Sequence, residues 1–260
     1  MNRIVEAFNK NGRKAFIPYI TGCDPDIETT EKLIIALEEA GADMIELGIP
    51  FSDPVAEGPV IQKATERALA KGCTVDMLFD MVVRLREKVK IPLIFLTYAN
   101  PIFAYGKERF MKKCAASGID GVIVPDLPFE ERGEIATQCA TAGIAQISLI
   151  APTSKERIKV IAKEAEGFLY CVSSMGVTGI RDEINTDLKE MINQVKSVSD
   201  IPCAIGFGIS TPAQAKEMAA LSDGTIIGSA IVKLIEEHGR DSVEPVRAFA
   251  REIRASIGIS

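Results

Sequence analysis

The chain has no tryptophan and a single histidine, His238. One histidine is too few for a metal centre built on His ligands, and a Ser-His-Asp relay would have to rest on this residue alone. His238 follows "KLIEE" near the C-terminus and reads as a surface residue at a helix end. The six cysteines, Cys23, Cys73, Cys114, Cys139, Cys171 and Cys203, form no CxxC pair and fit no zinc framework. Cys171 and Cys203 lie in apolar runs, where a free thiol packs as a small hydrophobe. Reduced thiols and a cytoplasmic protein are the expectation. There is no basic excess: 30 Lys and Arg face 36 Asp and Glu, a net charge of −6. A nucleic-acid footprint needs a clustered basic face, and none is visible. No apolar run approaches the length of a membrane span. The opening "MNRIVEAFNKNGRK" has no apolar core, so no signal peptide is expected.

What is present is a repeated unit. Short apolar runs recur at 15–20, 43–47, 92–98, 121–124, 146–150, 167–172, 202–206 and 224–228. They are near-continuous rather than alternating, the signature of strands buried on both faces in a parallel sheet. Helical stretches separate them. "ETTEKLIIALEEAGA" places Leu33, Ile34, Leu37 and Ala40 on one stripe and ends at Gly41. "KERFMKKCAASGI", "EERGEIATQCATAGI" and "TPAQAKEMAALSDG" follow the same grammar. Between the second and third strands there is room for two helices, 60–71 and 75–88. Further helices are expected at 4–11 and 243–256. Eight β-then-α units without a composition break predict an α/β fold: a single (β/α)8 TIM barrel, one domain over residues 1–260, with extra helices at the N-terminus, after the second strand and at the C-terminus. A doubly wound sheet is the rival, but its GxGxxG turn is missing from "TGCDPD".

In such a barrel the chemistry lies at the C-terminal strand ends. Glu46 interrupts the apolar run "DMIELG" near the end of the second strand. A carboxyl pointing into an apolar barrel is desolvated, which raises its pKa and suits proton transfer near neutrality. Pairing with an arginine or a backbone amide is the structural alternative. Glu57 follows in a loop stiffened by Pro50, Pro54, Gly58 and Pro59. The late loops "GVTG" (176–179), "GFG" (206–208) and "GSAIVK" (228–233) expose backbone amides at successive strand ends. Ser229 is placed to cap a helix. Together they predict a phosphate site made of amides. Leu96, Ile123, Leu149, Tyr19, Tyr98, Tyr170 and Phe207 fall at the other strand ends and suit a flat apolar ring with a polar edge.

"ELGIPFSDPVAEGPVIQ" (46–62) resembles the signature of the tryptophan synthase alpha-chain family. "FIPYITGCDPD", "TYANPIFAYG", "GVIVPDLPFEE", "YCVSSMGVTG", "GFGIS" and "GSAIVK" do so too, in order and over essentially the whole chain. The resemblance implies retro-aldol cleavage of indole-3-glycerol phosphate to indole and glyceraldehyde 3-phosphate, with no cofactor or metal on this chain. It also implies a partner, the beta chain, which carries pyridoxal phosphate and joins the alpha chain in an α2β2 complex. By motif match Glu46 is the acid–base, with Tyr170 beside it. Gly179, Gly208, Gly228 and Ser229 match the phosphate binders. Tyr19, Leu96, Ile123, Leu149 and Phe207 match the positions that hold the indole. Thr178 sits in the loop after strand 6, which closes over substrate in the family. Residues 53–59 and 100–103, with Asp53, Pro54, Asn100 and Pro101, match segments facing the beta chain. The polar, Gly-started "GIRDEINTD" is expected to be a loop of low local stability.

One position departs. The family has Asp-Gly-Pro where this chain has Glu57-Gly58-Pro59. That aspartate is the second catalytic carboxylate. An extra methylene leaves three readings: an accommodated active site, a weak catalyst rescued by its partner, or an inactive subunit that activates the beta chain. Other phosphate-binding barrels fit less well. Indole-glycerol-phosphate synthase and Schiff-base aldolases need a lysine at a strand end, and metal-dependent epimerases need histidines.

Overall fold

A computed structural model describes residues 3–9, 12–152, 155–172, 181–206 and 208–258, with the side chains of 155 and 181–186 left aside. The chain opens with α1 (Arg3–Phe8), β1 (Ala15–Thr21), α2 (Ile27–Glu39) and β2 (Ile45–Gly48). Two helices follow, α3 (Pro59–Ala70) and α4 (Val75–Leu85), then β3 (Leu93–Leu96), α5 (Ala99–Tyr105), α6 (Lys107–Ser117) and β4 (Gly121–Ile123). The second half runs through α7 (Gly133–Ala142), β5 (Ala145–Ile150), α8 (Lys155–Glu164), β6 (Leu169–Val172), α9 (Arg181–Lys196), β7 (Cys203–Gly206), α10 (Pro212–Leu221), β8 (Gly224–Ile227), α11 (Ser229–His238) and α12 (Val243–Ser256).

All eight strands pair in sequence order and in parallel, and β8 returns to β1 through Ala15↔Gly224 to Pro18↔Ile227, so the sheet closes into a barrel. This is the TIM barrel expected, and closure rules out the open sheet. Period-two alternation sorts each strand into two cores. Ile17, Met44, Ile94, Ile147, Ala204 and Ile226 fill the barrel interior. Phe16, Leu47, Phe95, Val122 and Ile205 face outward under the helices. α1 belongs to the interior cluster: Ile4 is fully buried there and the Phe8 ring lies 5.5 Å from Phe168. The barrel floor is thus sealed, and ligand access is left to the opposite end. At the floor Asp43, fully buried, receives the guanidiniums of Arg13 and Arg254 and the Phe16 amide, tying β2 to β1 and α12.

Three expectations change. α5 has no counterpart in the sequence reading, because a seven-residue helix with Pro101 in its first turn shows too little periodicity. α9 begins at Arg181, so most of "GIRDEINTD" is helix rather than loop. Cys23 and Cys73 are joined as a disulfide, Cα atoms 6.0 Å apart, whereas Cys114, Cys139, Cys171 and Cys203 are free and buried. The bond links the loop after β1 to the turn between α3 and α4. Fifty residues separate the pair, so only folding brings them together. Their thiols were expected reduced.

Candidate active site

Glu46 lies on β2 opposite Tyr19 of β1 and Ile94 of β3, both interior positions. It is fully buried, and among the described residues neither carboxyl oxygen has a hydrogen-bond partner. The alternative of a paired structural carboxylate is therefore not what is seen. Burial alone acts on it and pushes its pKa from 4.5 to about 8. A carboxyl in that state is protonated at neutrality and gives up its proton without a large penalty.

Two phenols flank it. Burial raises Tyr19 well above its ordinary value, and the neighbouring Glu57 and Glu46 charges add to this; its hydroxyl is 3.3 Å from Thr21 Oγ1. Tyr170 on β6 is raised by burial and then by Glu46 and Tyr19. Both are therefore neutral donors. Each lies across a glycine. A Cβ on Gly48 would collide with the Tyr19 hydroxyl, and one on Gly206 would stand 2.5 Å from that of Tyr170. Sequence pattern treats these glycines as turn residues. Their strand-end position, two residues after Glu46 and two after Ala204, is the signal that could have revealed them.

Glu57 is half-buried in the loop between β2 and α3. Its pKa is raised by burial, against which a hydrogen bond from Tyr98 works. Its Oε2 is buried and without a partner among the described residues. The charge of Glu57 is felt at Tyr19, and that of Glu46 at both Tyr19 and Tyr170. Both carboxyls thus belong to one cluster, although eleven residues separate them in sequence. The loop is anchored through α3: Gln62 Nε2 donates to the Glu57 carbonyl at 2.8 Å, and Arg67 forks onto the buried Asp24 at 2.9 and 2.8 Å.

Leu96 and Leu149 are half-buried at the top of the interior cluster, while Ile123 lies fully inside it. A cavity of about 420 Å³ opens beside β5, lined by Val124, Leu127, Arg132, Ser148, Leu149 and Ile158; among the described residues expected to hold a ring, only Leu149 borders it. Gly228 is the N-cap of α11 and Ser229 its first residue, exposed, with no side-chain capping bond. Ser229 is therefore not the cap expected of it, because β8 ends one residue earlier. Gly208 is exposed at φ +74°, a left-handed turn that favours glycine. Thr178, Gly179 and Phe207 lie outside the described residues. Asp53 and Asn100 are exposed, Pro54 and Pro101 half-buried, and Val55 and Phe103 near them are 79% and 43% exposed. His238 ends α11, exposed, as expected. Among the described residues no group of three His, Cys, Asp or Glu could hold a metal ion, and no helix is long and apolar enough to cross a membrane.

Residues 5–257 match the family described as the tryptophan synthase alpha chain. The alpha chain of Caldanaerobacter subterraneus subsp. tengcongensis is 49% identical over 259 residues, covering 98% of this chain and 99% of that one. The chain belongs to the tryptophan synthase alpha-chain family. Solved structures agree with this placement. The subunit alpha of Legionella pneumophila str. Paris superposes with a TM-score of 0.90 at 39% identity, covering 99% of this chain and 98% of that one. A chain of the tryptophan synthase complex from Pyrococcus furiosus gives 0.85 at 35%, covering 94% and 99%. Alpha chains of tryptophan synthase are lyases acting on indole-3-glycerol phosphate in tryptophan biosynthesis. They need no cofactor; the pyridoxal phosphate of the complex belongs to the beta chain, which is the family's partner.

Proposed function

We propose that this chain, a single-domain subunit, cleaves indole-3-glycerol phosphate by retro-aldol chemistry, with Glu46 as acid and base. The observation that carries the reading is a fully buried, unpaired carboxyl raised to about 8 between two neutral phenols. Protonated Glu46 delivers its proton to indole C3, and positive charge develops on the ring nitrogen. Glu57, ionised, stabilises that charge. The Glu46 carboxylate then takes the proton of the glycerol hydroxyl next to the ring. The C–C bond breaks, its electron pair restores the indole ring, and the hydroxyl carbon becomes the aldehyde. Glu46 ends as it began, protonated. Each transfer contributes about 10²–10⁴-fold.

Tyr170 orients the glycerol side, and Tyr19, Leu96, Ile123, Leu149, Phe207 and Thr178 enclose the ring. The amides of Gly179, Gly208, Gly228 and Ser229 take the phosphate, with the start of α11 favouring negative charge. Binding energy from the phosphate is spent away from the reacting bond. Asp53, Pro54, Asn100 and Pro101 face the beta chain in an α2β2 complex; exposed Val55 and Phe103 beside them support an apolar contact there. The location is cytoplasmic. A reducing compartment keeps most disulfides open, so the Cys23–Cys73 bond is the observation that sits least easily with it.

Glu57 shares the cluster with Glu46, which favours an accommodated active site over an inactive activator subunit. Indole release from indole-3-glycerol phosphate, by the purified chain alone and with a beta chain, tests this. Activity in the wild type and its loss in Glu46→Gln is the expected result. Silence of the wild type with its partner, broken only in Glu57→Asp, supports the activator reading instead. Silence of the wild type and both variants sinks the lyase.

A further inference from the structure

Glu57 takes its position from α3. Gly58 is the N-cap of that helix and Pro59 its first residue, so Glu57 stands just outside the start. Gln62, the fourth residue of the helix, donates to the Glu57 carbonyl at 2.8 Å. Any tilt of α3 therefore moves Glu57. Packing gives α3 little resistance to tilting. Its buried side chains are Ala64, Thr65 and Ala68, whereas α4 buries Leu78, Phe79, Met81, Val82 and Leu85. Small side chains bury little apolar area and interlock weakly with their neighbours. The fixture is polar instead. Arg67 lies eight residues after Pro59, about 12 Å along the helix axis. Its Nε and Nη2 reach Asp24 Oδ1 and Oδ2 at 2.9 and 2.8 Å. Asp24 is 1% exposed in the loop after β1, and β1 carries Tyr19. A two-point fork fixes an angle as well as a distance. Nη1 extends to Glu236 of α11 at 3.1 Å, and Ala64 shares a buried cluster with Tyr19 and with Val232 of α11.

We propose that Arg67 is a positioning residue for Glu57: its fork on Asp24 sets the direction of α3 against β1, and the start of α3 then carries Glu57 to its place beside the reacting ring. This rests on the role given to Glu57 above. The fork suits that task because one side of it is dry. At 1% exposure Asp24 cannot trade its partner for water, so the guanidinium cannot leave without stranding a buried charge. A lysine would not replace it, since a single ammonium fixes a distance and no angle. Two other ties join the same loop to the end of α3. Lys71 Nζ meets the Pro25 carbonyl at 2.5 Å, a single exposed contact. The Cys23–Cys73 bond reaches the turn after α3, and once it is reduced the fork sets the orientation.

Arg67→Lys keeps the charge and removes the fork. Asp24→Asn keeps the shape and removes the buried charge, so a fold that tolerates only one of them still gives an answer. The full-length chain is assayed with a beta chain and with dithiothreitol, which opens Cys23–Cys73 in wild type and variants alike. In each variant kcat should fall roughly tenfold to a hundredfold, the scale of a misplaced group, with KM little changed. A Glu57→Gln background should absorb most of that loss, since the residues act as one unit. An ion pair that only stabilised the fold would lower Tm and leave the losses additive. Glu236→Gln removes the exposed partner alone and should leave kcat unchanged. Where Glu57→Gln is impaired, the proposal is overturned by unchanged kcat in Arg67→Lys and Asp24→Asn, by additive losses, or by an equal loss in Glu236→Gln. Hydrogen exchange gives a reading without turnover: amides of residues 57–66 should exchange about tenfold faster in both variants. Unchanged exchange there overturns the proposal even in a silent enzyme. Faster exchange beside a fully active Glu57→Gln overturns the role of Glu57 instead, and silence of the wild type overturns the lyase reading.

Discussion

Replacing Glu46 by glutamine removes one ionisation and preserves the shape of the side chain. Burial lifts this carboxyl from 4.5 to about 8. Between those values the native chain keeps a proton that the unfolded chain has released. Stability therefore falls as pH rises across that window, having its full value only below the unfolded pKa. One proton is worth about 1.4 kcal/mol per pH unit, so the wild type loses about 5 kcal/mol across the window that the variant does not. For a chain of this size about 2–4 °C of Tm corresponds to each kcal/mol. The gap in Tm between Glu46→Gln and the wild type should therefore widen by roughly 3–5 °C per unit between about pH 5 and pH 8. Other titrating groups are common to both proteins and cancel. Scanning calorimetry over that range, run beside indole release, is the assay. Activity of the wild type should fall above about pH 8 as the acid form is lost, while the variant loses at least about 10²–10⁴-fold at every pH. Parallel Tm curves would refute the reasoning. They would mean that Glu46 ionises near its ordinary value and is not poised for proton transfer.

Gly206→Ala places a methyl 2.5 Å from the Tyr170 hydroxyl, and Gly48→Ala displaces that of Tyr19. Each should cut indole release by about tenfold to a hundredfold with an unchanged circular dichroism spectrum; full activity would show that the phenols need not stand where they do. Asp43→Ala leaves Arg13 and Arg254 facing each other at the barrel floor. A loss of about 3–5 kcal/mol in urea unfolding is expected, and a loss under about 1 kcal/mol would show the pair to be solvated. Thiol titration of the denatured, unreduced protein should count four cysteines, rising to six after reduction. Six before reduction would show the Cys23–Cys73 bond to be open.

The barrel was legible because its signal is local. Near-continuous apolar strands and amphipathic helices follow from burial on two faces and on one, and neither needs a distant residue to be recognised. Glu46 stood out for the same reason: a carboxylate inside "DMIELG" contradicts the run that carries it. Its protonation state did not follow from that run. An inward glutamate can be paired or bare, and only closure of the barrel, with Tyr19 of β1 beside it and no hydrogen-bond partner among the described residues, left it bare. α5 escaped because seven residues around Pro101 carry too little period, and the Cys23–Cys73 bond because fifty residues of chain lie between its ends. The sequence by itself determined which residues are apolar, where the strands and most helices run, and which carboxylates are out of place. Tertiary structure decided which of those carboxylates is fully dry and which is only half-buried, because desolvation depends on neighbours that chain order does not supply.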